Sequence, residues 1–209
     1  MKAVVCKQYG VPEVLTVSNV PEPTIKSNEL LIRIRATAAN SGDARIRALD
    51  VPRMMKGMMR LILGWNKPRN PILGNVYAGT VEKIGDGVSK FQVGDRVFGS
   101  TGFKSGGYAE KIAVKATSPI AKMPTNATFA DAATLPFGGQ TALHFIEKLN
   151  ILRDGTVLVY GASGAVGTMA LQLLSIKGVQ VTAVCSERNH SLVTSLGADR
   201  ILDYQKGNG

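Results

Sequence analysis

Three glycines spaced three residues apart, Gly161, Gly164 and Gly167, stand where a phosphate-binding turn would need them. A short apolar run, Val157–Tyr160, precedes them and has the composition of a buried parallel strand. The stretch after them is amphipathic, with apolar residues Met169, Leu171, Leu173 and Leu174. Without a Cβ atom, Gly164 lets a pyrophosphate approach the backbone, and Gly167 lets the helix pack closely on the strand. The amides at the start of that helix would attract phosphate oxygens.

The strand, turn and helix together predict a dinucleotide-binding site, which a glycine pattern alone would not. A second strand, Val179–Cys185, follows the helix after Gly178, as a βαβ unit requires. The first glycine of the usual G-x-G-x-x-G pattern is replaced by Ala162, which Gly161 precedes. The predicted cofactor-binding turn consists of Ala162, Ser163, Gly164, Ala165, Val166 and Gly167.

The end of the second strand indicates which nicotinamide cofactor would bind. NAD sites place Asp or Glu about 20 residues beyond the glycines, where the carboxylate accepts from the ribose 2′-OH. At the corresponding place this chain has Ser186, followed by Glu187 and Arg188. A hydroxyl and a guanidinium both donate hydrogen bonds to a 2′-phosphate, so we predict NADPH (NADP+) as the cofactor. Alternatively, Glu187 is the ribose acceptor and Arg188 is a solvated residue at the start of a helix.

The composition limits the classes of protein to which this chain can belong. The chain has 209 residues, of which 44% are hydrophobic and 19% charged, enough for a real core. No apolar run reaches the length of a membrane span, and Met1–Lys7 lacks the features of a signal peptide. Cys6 and Cys185 lie in strand-like runs without metal-ligand spacing, as expected for buried thiols in a reducing compartment. We therefore expect a cytoplasmic location.

The net charge is +10, and Lys and Arg concentrate in one stretch: Arg45, Arg47, Arg53, Lys56, Arg60, Lys67 and Arg69. A surface for nucleic acid or anionic lipid is one interpretation. Aromatic residues are only 6% of the chain and do not alternate with the basic ones, which argues against base stacking. The sequence therefore favours a solvated face and predicts no nucleic-acid or membrane partner.

Residues 41–63 look helical but broken at Pro52 and Gly57, and their methionines form either a flexible apolar lid or a packed helix face.

The pattern of elements changes near residue 120. Before it, short strands alternate with turns, which predicts a compact, barrel-like β domain over residues 1–122. The expected strands are Lys2–Lys7, Glu13–Asn19, Glu29–Ala36, Asn75–Ile84, Val93–Phe98 and Gly107–Lys115. Residues 123–209 would form a cofactor-binding domain. It begins with two helices on either side of Pro136–Gly139 and continues as β-α-β-α-β from Thr156, the alternation of a parallel sheet.

A complete dinucleotide fold has six strands in two halves, whereas this alternation supplies three. We expect the half that is present to hold the pyrophosphate and adenosine, and the half flanking the nicotinamide to be missing. Val157–Tyr160, central in a complete sheet, would then be an exposed edge that favours self-association.

Nine short motifs spread over nearly the whole chain indicate a family. They are Ala39–Asp43, Pro71–Gly74, Ala78–Glu82, Val93–Gly99, Gly106–Glu110, Leu135–Ala142, Gly161–Gly167, Leu196–Asp199 and Ile201–Tyr204. In these motifs the chain resembles the N-terminal part of a medium-chain dehydrogenase/reductase, closest to the zinc-free quinone oxidoreductase branch. The resemblance implies an α/β fold: a GroES-like β-barrel domain followed by the first half (βαβαβ) of a Rossmann domain. It further implies reduction of a small-molecule quinone or enone by NADPH, and leaves a homodimer open.

The same resemblance argues against a metal. Zinc-dependent members have a Cys where this chain has Asn40 and a His where it has Asn75, and the cysteines of their structural zinc lobe are missing between Arg96 and Lys115. The two histidines, His144 and His190, are interpreted as surface or packed side chains. Chemistry without zinc would be direct hydride transfer between positioned reactants.

Further site residues follow from the resemblance. Asn40 and Thr141 would line the nicotinamide side, unless Asn40 only forms a turn and Thr141 only caps or packs a helix. Tyr204 resembles the tyrosine that touches the 2′-phosphate in NADPH-using relatives. Tyr77 and Tyr108 are candidate proton donors to a substrate oxygen, with packing inside the β domain as the alternative. A non-catalytic nucleotide-binding or interaction module is the second candidate function, favoured by the missing half-sheet and the positive charge.

Overall fold

The computed structural model describes residues 1–149, 151 and 155–206. The chain divides into two compact units, Met1–Thr134 and Leu135–Gly209. This division lies twelve residues beyond the predicted end of the first domain at residue 122, inside a helix that the sequence predicts as two. The domain boundary at residue 122 stays a prediction.

The first unit is built from antiparallel strands. They are β1 (Lys2–Cys6), β2 (Leu15–Asn19), β3 (Glu29–Ala36), β4 (Val76–Ile84), β5 (Arg96–Ser100), β6 (Lys111–Lys115) and β7 (Ile120–Lys122). β1 pairs with β2, and the other five form a sheet in the order β6-β3-β4-β5-β7. Single bridges from Ala3 to Ala109 and from Val5 to Ile72 connect β1 to neighbouring loops. The predicted strands are confirmed except for their ends, and β7 was not predicted.

Alternation along β3 explains where the core of this sheet lies. Leu30 and Ile32 are fully buried, whereas Arg33 and Arg35 on the opposite face are exposed. Side chains from the neighbouring strands pack on the buried face, among them Tyr77, Val81 and Val97. Leu31, on the same face as the arginines, is also buried at 3% exposed, so the alternation holds only towards the end of the strand.

Two short helices interrupt the β unit, α1 (Ser41–Ala48) and α2 (Lys56–Leu63), with a 3₁₀ turn over Arg53–Met55 between them. The predicted break at Gly57 is wrong, because this glycine lies in the first turn of α2. A glycine costs a helix only about 1 kcal/mol relative to alanine, which neighbouring residues can offset.

Helix α3 (Phe129–Lys148) is continuous where the sequence predicts two helices. It passes through Pro136, which lacks the amide for one helical hydrogen bond. Gly138 lies in close contact with the backbone at Ala165, and a Cβ atom there would stand 3.0 Å from the Ala165 carbonyl carbon. The Pro-Phe-Gly-Gly segment therefore serves close helix packing and is not a turn.

The second unit contains a parallel three-stranded sheet. Its elements are β8 (Thr156–Tyr160), helix α4 (Ala165–Ile176), β9 (Gln180–Val184), helix α5 (His190–Ser195) and β10 (Arg200–Leu202). The strand order is β10-β9-β8, and both pairs are parallel. Leu171 and Leu174 of α4 pack with Val181 and Ala183 of β9 to form the core. The predicted α/β class and βαβαβ half are thus confirmed.

Among the helices that the structure describes, none is both long and apolar enough to cross a bilayer.

Tyr77, predicted as a candidate proton donor, is instead part of the core. Its side chain is 0% exposed on β4, so no substrate can reach its hydroxyl in this conformation. Burial raises its pKa well above the ordinary value, which makes it a weaker acid still. The hydroxyl has no hydrogen-bond partner among the described residues, and the nearby Ser118 hydroxyl donates to the Lys115 carbonyl. Tyr77 therefore packs inside the β domain, which is the alternative that the sequence left open.

This placement predicts the effect of Tyr77→Phe. Removing a buried hydroxyl that makes no bond should leave the free energy of unfolding unchanged or raise it by up to about 1 kcal/mol. Urea denaturation of the two proteins measures the difference. A clear loss of stability would mean that the hydroxyl is hydrogen-bonded, for example to a buried water.

Candidate functional site

Backbone hydrogen bonds join the glycine turn to the end of the neighbouring strand. The amides of Gly161 and Ala162 both donate to the carbonyl of Val184 at the end of β9, at 3.0 and 3.1 Å. Gly161 adopts a φ of 71°, which favours glycine. The chain therefore leaves β8 through a tight turn whose position is fixed by β9.

Gly167 has the packing role that the sequence predicts. A Cβ atom at this position would stand 2.7 Å from the Cα and the carbonyl oxygen of Ala162. No side chain can be placed there unless α4 moves away from the turn. The first turn of α4 is therefore held directly against the end of β8.

The start of α4 is open to an anion. Gly164 precedes the helix, and no side chain caps it. The amides of the first helical turn, from Ala165 to Gly167, have no acceptor within the helix. A Cβ atom on Gly164 would meet only the Gly161 carbonyl oxygen, at 3.3 Å. A phosphate group would find hydrogen-bond donors and the positive end of the helix dipole here.

Two serines from different segments meet beside this turn. Asn189 Nδ2 donates to Ser163 Oγ at 3.0 Å and to Ser186 Oγ at 3.2 Å. Ser186 is buried, and Ser163 and Asn189 are half-buried. Because both hydroxyl oxygens accept from the same amide, their hydrogens remain available, and neither donates to an acceptor in the part of the chain that the structure describes. Asn189 thus turns both hydroxyls into donors for an incoming oxygen.

Charged groups follow immediately. Arg188 is exposed and makes no ion pair with the described residues. The Glu187 carboxylate lies 3.0 Å from Lys206 Nζ, in a pair whose two side chains are exposed. Tyr204 is exposed as well, with its ring 6.4 Å from that of Tyr160. Sequence reasoning missed Asn189 and Lys206, although the position of Asn189, three residues after Ser186, was a usable signal.

Thr141 lies on α3 and uses its hydroxyl locally. Its Oγ1 donates to the Phe137 carbonyl, one helical turn earlier, at 2.7 Å. This bond supports the packing alternative for Thr141, although its oxygen can still accept a hydrogen bond.

In the first unit, Asn40 is held by a reciprocal cap at the start of α1. Its Oδ1 accepts from the amides of Gly42 and Asp43 at 2.9 and 3.3 Å, while the Asp43 carboxylate accepts from the Asn40 amide at 3.4 Å. Asn40 Nδ2 donates one hydrogen to Asn75 Oδ1 at 2.6 Å. An amide nitrogen carries two hydrogens, so the second remains for a cofactor or substrate oxygen. Asn40 is therefore both a turn-forming residue and an oriented donor.

Asp43 links this cap to Tyr108, whose hydroxyl donates to Asp43 Oδ2 at 2.9 Å. Asp43 is 3% exposed, and this burial raises the pKa of its carboxyl, although bonds from Tyr108 and neighbouring backbone amides act in the opposite direction. Burial and the adjacent carboxyl in turn raise the pKa of Tyr108. A hydroxyl that donates to Asp43 and has a raised pKa is a poor acid, which argues against Tyr108 as a proton donor.

Backbone geometry brings Tyr108 to this place. Gly74 has a φ of 90°, and a Cβ atom there would stand 2.8 Å from the Tyr108 amide nitrogen. The Tyr108 amide donates to the Leu73 carbonyl at 2.9 Å. The structure thus brings Asn40 and Tyr108 into one network and adds Asp43 and Asn75, which sequence reasoning did not assign to the site.

The donor groups in this network are poor ligands for zinc. Asn40 and Asn75 stand where the resemblance places two zinc ligands, yet their amides bond to each other and to the start of α1. Among residues 1–149, 151 and 155–206, no three His, Cys, Asp or Glu side chains come together. His144 is exposed and stacks edge-on against Phe145, and His190 is half-buried.

Comparison with known proteins gives a consistent result. Residues 26–125 match the alcohol dehydrogenase GroES-like domain family. The chain is 38% identical over 196 residues to the chloroplast envelope quinone oxidoreductase homolog of Arabidopsis thaliana, an alignment that covers 91% of this chain and 56% of that protein. It is 33% identical over 219 residues to the mitochondrial NAD(P)H oxidoreductase RTN4IP1 of Bos taurus, covering 100% of this chain and 55% of the relative.

Solved structures show the same similarity. The quinone oxidoreductase from Coxiella burnetii superposes with a TM-score of 0.87 at 31% identity, covering 100% of this chain and 63% of that one. The mycobacterial protein Rv1454c complexed with NADPH superposes with a TM-score of 0.81 at 30% identity, covering 98% and 59% of the two chains.

This chain belongs to the medium-chain dehydrogenase/reductase family, and its similar relatives and structural neighbours include quinone oxidoreductases. It spans about half the length of the curated relatives that it matches.

The raised pKa of Asp43 predicts an unusual pH dependence. The folded state holds this proton more tightly than the unfolded chain does, so the contribution of Asp43 to stability is largest below the ordinary pKa of 3.8. It is lost as the pH rises through the higher folded-state pKa. Asp43→Asn cannot titrate, so the stability of the parent chain relative to this variant should fall as the pH rises.

Denaturation of both proteins across a pH series measures this difference. Asp131→Asn is the matched control, because hydrogen bonds from Thr128 lower the pKa of the exposed Asp131 carboxyl. The same comparison for Asp131 should move the opposite way, with stability lost as the pH falls. If the stability of the parent chain relative to Asp43→Asn also fell as the pH falls, hydrogen bonds and not burial would dominate the pKa of Asp43.

Proposed function

We propose that this chain forms part of an NADPH-dependent oxidoreductase that reduces quinones or activated enones by direct hydride transfer without zinc. The observation that carries the proposal is the cluster of Ser163, Ser186 and Asn189 beside Arg188. It presents two hydroxyl donors and a guanidinium at the end of β9, where the 2′ group of a bound dinucleotide lies in this fold.

Several features support a 2′-phosphate over a 2′-hydroxyl as the partner of this cluster. Two serine hydroxyls held as donors suit an acceptor with several oxygens and no hydrogen to give. The nearby carboxylate, on Glu187, is paired with Lys206, so Arg188 keeps its positive charge free of that carboxylate. A structural neighbour is described as complexed with NADPH.

When bound, NADPH would supply the hydride. The turn from Ala162 to Gly167 would bind the pyrophosphate through its backbone amides. Asn40 would orient the acceptor through its unused Nδ2 hydrogen, and the Asp43 cap keeps that amide in place. Tyr108 holds Asp43 and is proposed as a positioning residue.

The absence of zinc from the mechanism rests on the chemistry of Asn40 and Asn75. Amide groups bind zinc far less well than thiolate, imidazole or carboxylate. Each amide already has a hydrogen-bond partner in the other, so a metal would have to displace that bond. Orientation by hydrogen bonds would then do what a Lewis acid does in zinc-dependent relatives.

Arg188→Ala tests the choice of cofactor. Losing a charge-assisted bond to the 2′-phosphate should weaken NADPH binding by about 1.5–3 kcal/mol and leave NADH binding nearly unchanged. Titration calorimetry with both cofactors measures this. Lys177→Ala, which removes an exposed cation after α4, is the matched control and should affect neither. An equal loss for NADH and NADPH would reject the phosphate assignment and favour Glu187 as a ribose acceptor.

The reaction itself is tested with the natural protein that contains this sequence. Purified without added metal, it should carry far less than one zinc per chain by elemental analysis and should consume NADPH when a simple quinone is present. Asn40→Ala should lower kcat/KM about 10²-fold or more, the effect of losing an oriented donor. NADPH binding without turnover would instead identify a non-catalytic nucleotide-binding module, and one tightly bound zinc would overturn the zinc-free mechanism.

A further inference from the structure

We propose that residues 53–69, here named the basic apolar segment, bind the surface of an anionic lipid bilayer. The proposal does not depend on the oxidoreductase function. It rests on the combination of exposed apolar side chains and unbalanced positive charge in one ordered part of the first unit.

The segment exposes side chains that are normally buried. Met54 is 95% exposed, Leu61 64%, Trp65 60%, and Met58 and Ile62 52% each. Isolated apolar residues on a surface need no explanation, but five within twelve residues form a patch of the kind that marks an interaction site. The sequence left open a packed helix face, and the structure shows instead that most of these side chains face solvent.

The exposed face has a fixed orientation, because contacts on the opposite side of the segment hold it in place. In α2, Leu63 is buried and Met59 half-buried, while Met58, Leu61 and Ile62 are exposed. Gly64 ends the helix, and its carbonyl accepts from the Tyr9 hydroxyl at 2.8 Å. The Arg69 side chain bonds the Leu61 carbonyl. These contacts fix which side chains point outward.

The charge of the segment selects an anionic partner. Its cations are Arg53, Lys56, Arg60, Lys67 and Arg69, and no Asp or Glu occurs anywhere in residues 51–81. Long basic side chains beside apolar ones are typical of helices that lie in the plane of a membrane surface, where the charges reach the headgroups. Each strengthens binding to an anionic surface about fivefold, from about 1 kcal/mol per charge.

Trp65 supports a lipid interface in particular. The Arg60 guanidinium lies 5.9 Å from the centre of its ring. Tryptophan is enriched at the boundary between headgroups and hydrocarbon, where its ring is apolar and its N–H stays hydrated.

Two other occupants fit less well. A second copy of this chain, docked by a two-fold axis, would bring five cations against five with no acids between them. A nucleic acid would use the cations, but it would leave Met54, Leu61 and Ile62 without a role, and one tryptophan is too few for a stacking platform. The sequence favoured a solvated face for this stretch, and the exposure of its apolar residues is what changes that interpretation.

Trp65 is the single tryptophan of these 209 residues, so the fluorescence of a protein with this sequence reports on this segment. The protein is titrated with vesicles of phosphatidylcholine, with and without phosphatidylglycerol. We expect a blue shift of the emission and co-sedimentation with the anionic vesicles only. Both should weaken with added salt.

Two variants separate the electrostatic and apolar contributions. Arg53→Gln combined with Lys56→Gln and Arg60→Gln should lower the partition coefficient about 100-fold. Leu61→Ser with Ile62→Ser should lower it at least tenfold, and because both residues are exposed the fold should persist. The matched control removes three exposed cations elsewhere in the first unit: Lys83→Gln, Lys90→Gln and Lys115→Gln.

The outcomes are distinct. Loss of binding in both segment variants, with the control changed much less, supports the proposal. Equal loss in the control would mean that general charge attraction explains the binding, and unchanged binding in the serine variant would exclude apolar insertion; either result overturns it. The proposal would also be overturned if the protein were a dimer by light scattering, became a monomer in the serine variant and did not bind vesicles. NADPH titration of the same variants is a separate measurement, so failure here leaves the proposed function untouched.

Discussion

The carbonyl of Val184 accepts the hydrogen bonds on which the candidate cofactor site depends. It bonds two successive amides of the glycine turn, and this fixes the turn relative to the end of β9. Because the turn is fixed, α4 can begin directly against β8, as the lack of space at Gly167 shows. Asn189 can then reach Ser163 and Ser186 together. A backbone contact thus determines where the side chains of the candidate site lie.

A similar dependence operates around Asp43 in the first unit. A buried carboxylate is costly unless hydrogen bonds satisfy it. Here the bonds come from the hydroxyl of Tyr108 and the amide of Asn40, so the groups that lower the cost are the ones whose positions matter for the site. One oxygen of the carboxylate is left without a partner among the described residues. Burial therefore remains the dominant influence on its pKa.

The sequence predicted elements well where the local pattern and the tertiary environment agree. The bounds of β3, the βαβαβ rhythm and the role of Gly167 all have this property, since composition and glycine spacing reflect the same packing that the fold imposes. Predictions failed where tertiary contacts override a local signal. Pro136 and Gly139 look like a helix break, yet α3 continues because Gly138 packs against α4. Tyr77 looked reactive only because a sequence does not show burial. Asn189 and Lys206 were missed because their roles depend on which segments meet in space.

The reciprocal amide pair of Asn40 and Asn75 has a consequence for how such proteins could change over time. Asn40 also caps α1, so a cysteine at this position would remove the cap and leave the Asn75 carbonyl without its donor. A histidine at position 75 alone would replace the amide oxygen that now accepts from Asn40 by an imidazole of different shape. Each single substitution breaks the present amide pair before any metal can compensate for it. A lineage with this pair is therefore separated from metal binding by a step that is unfavourable in either order.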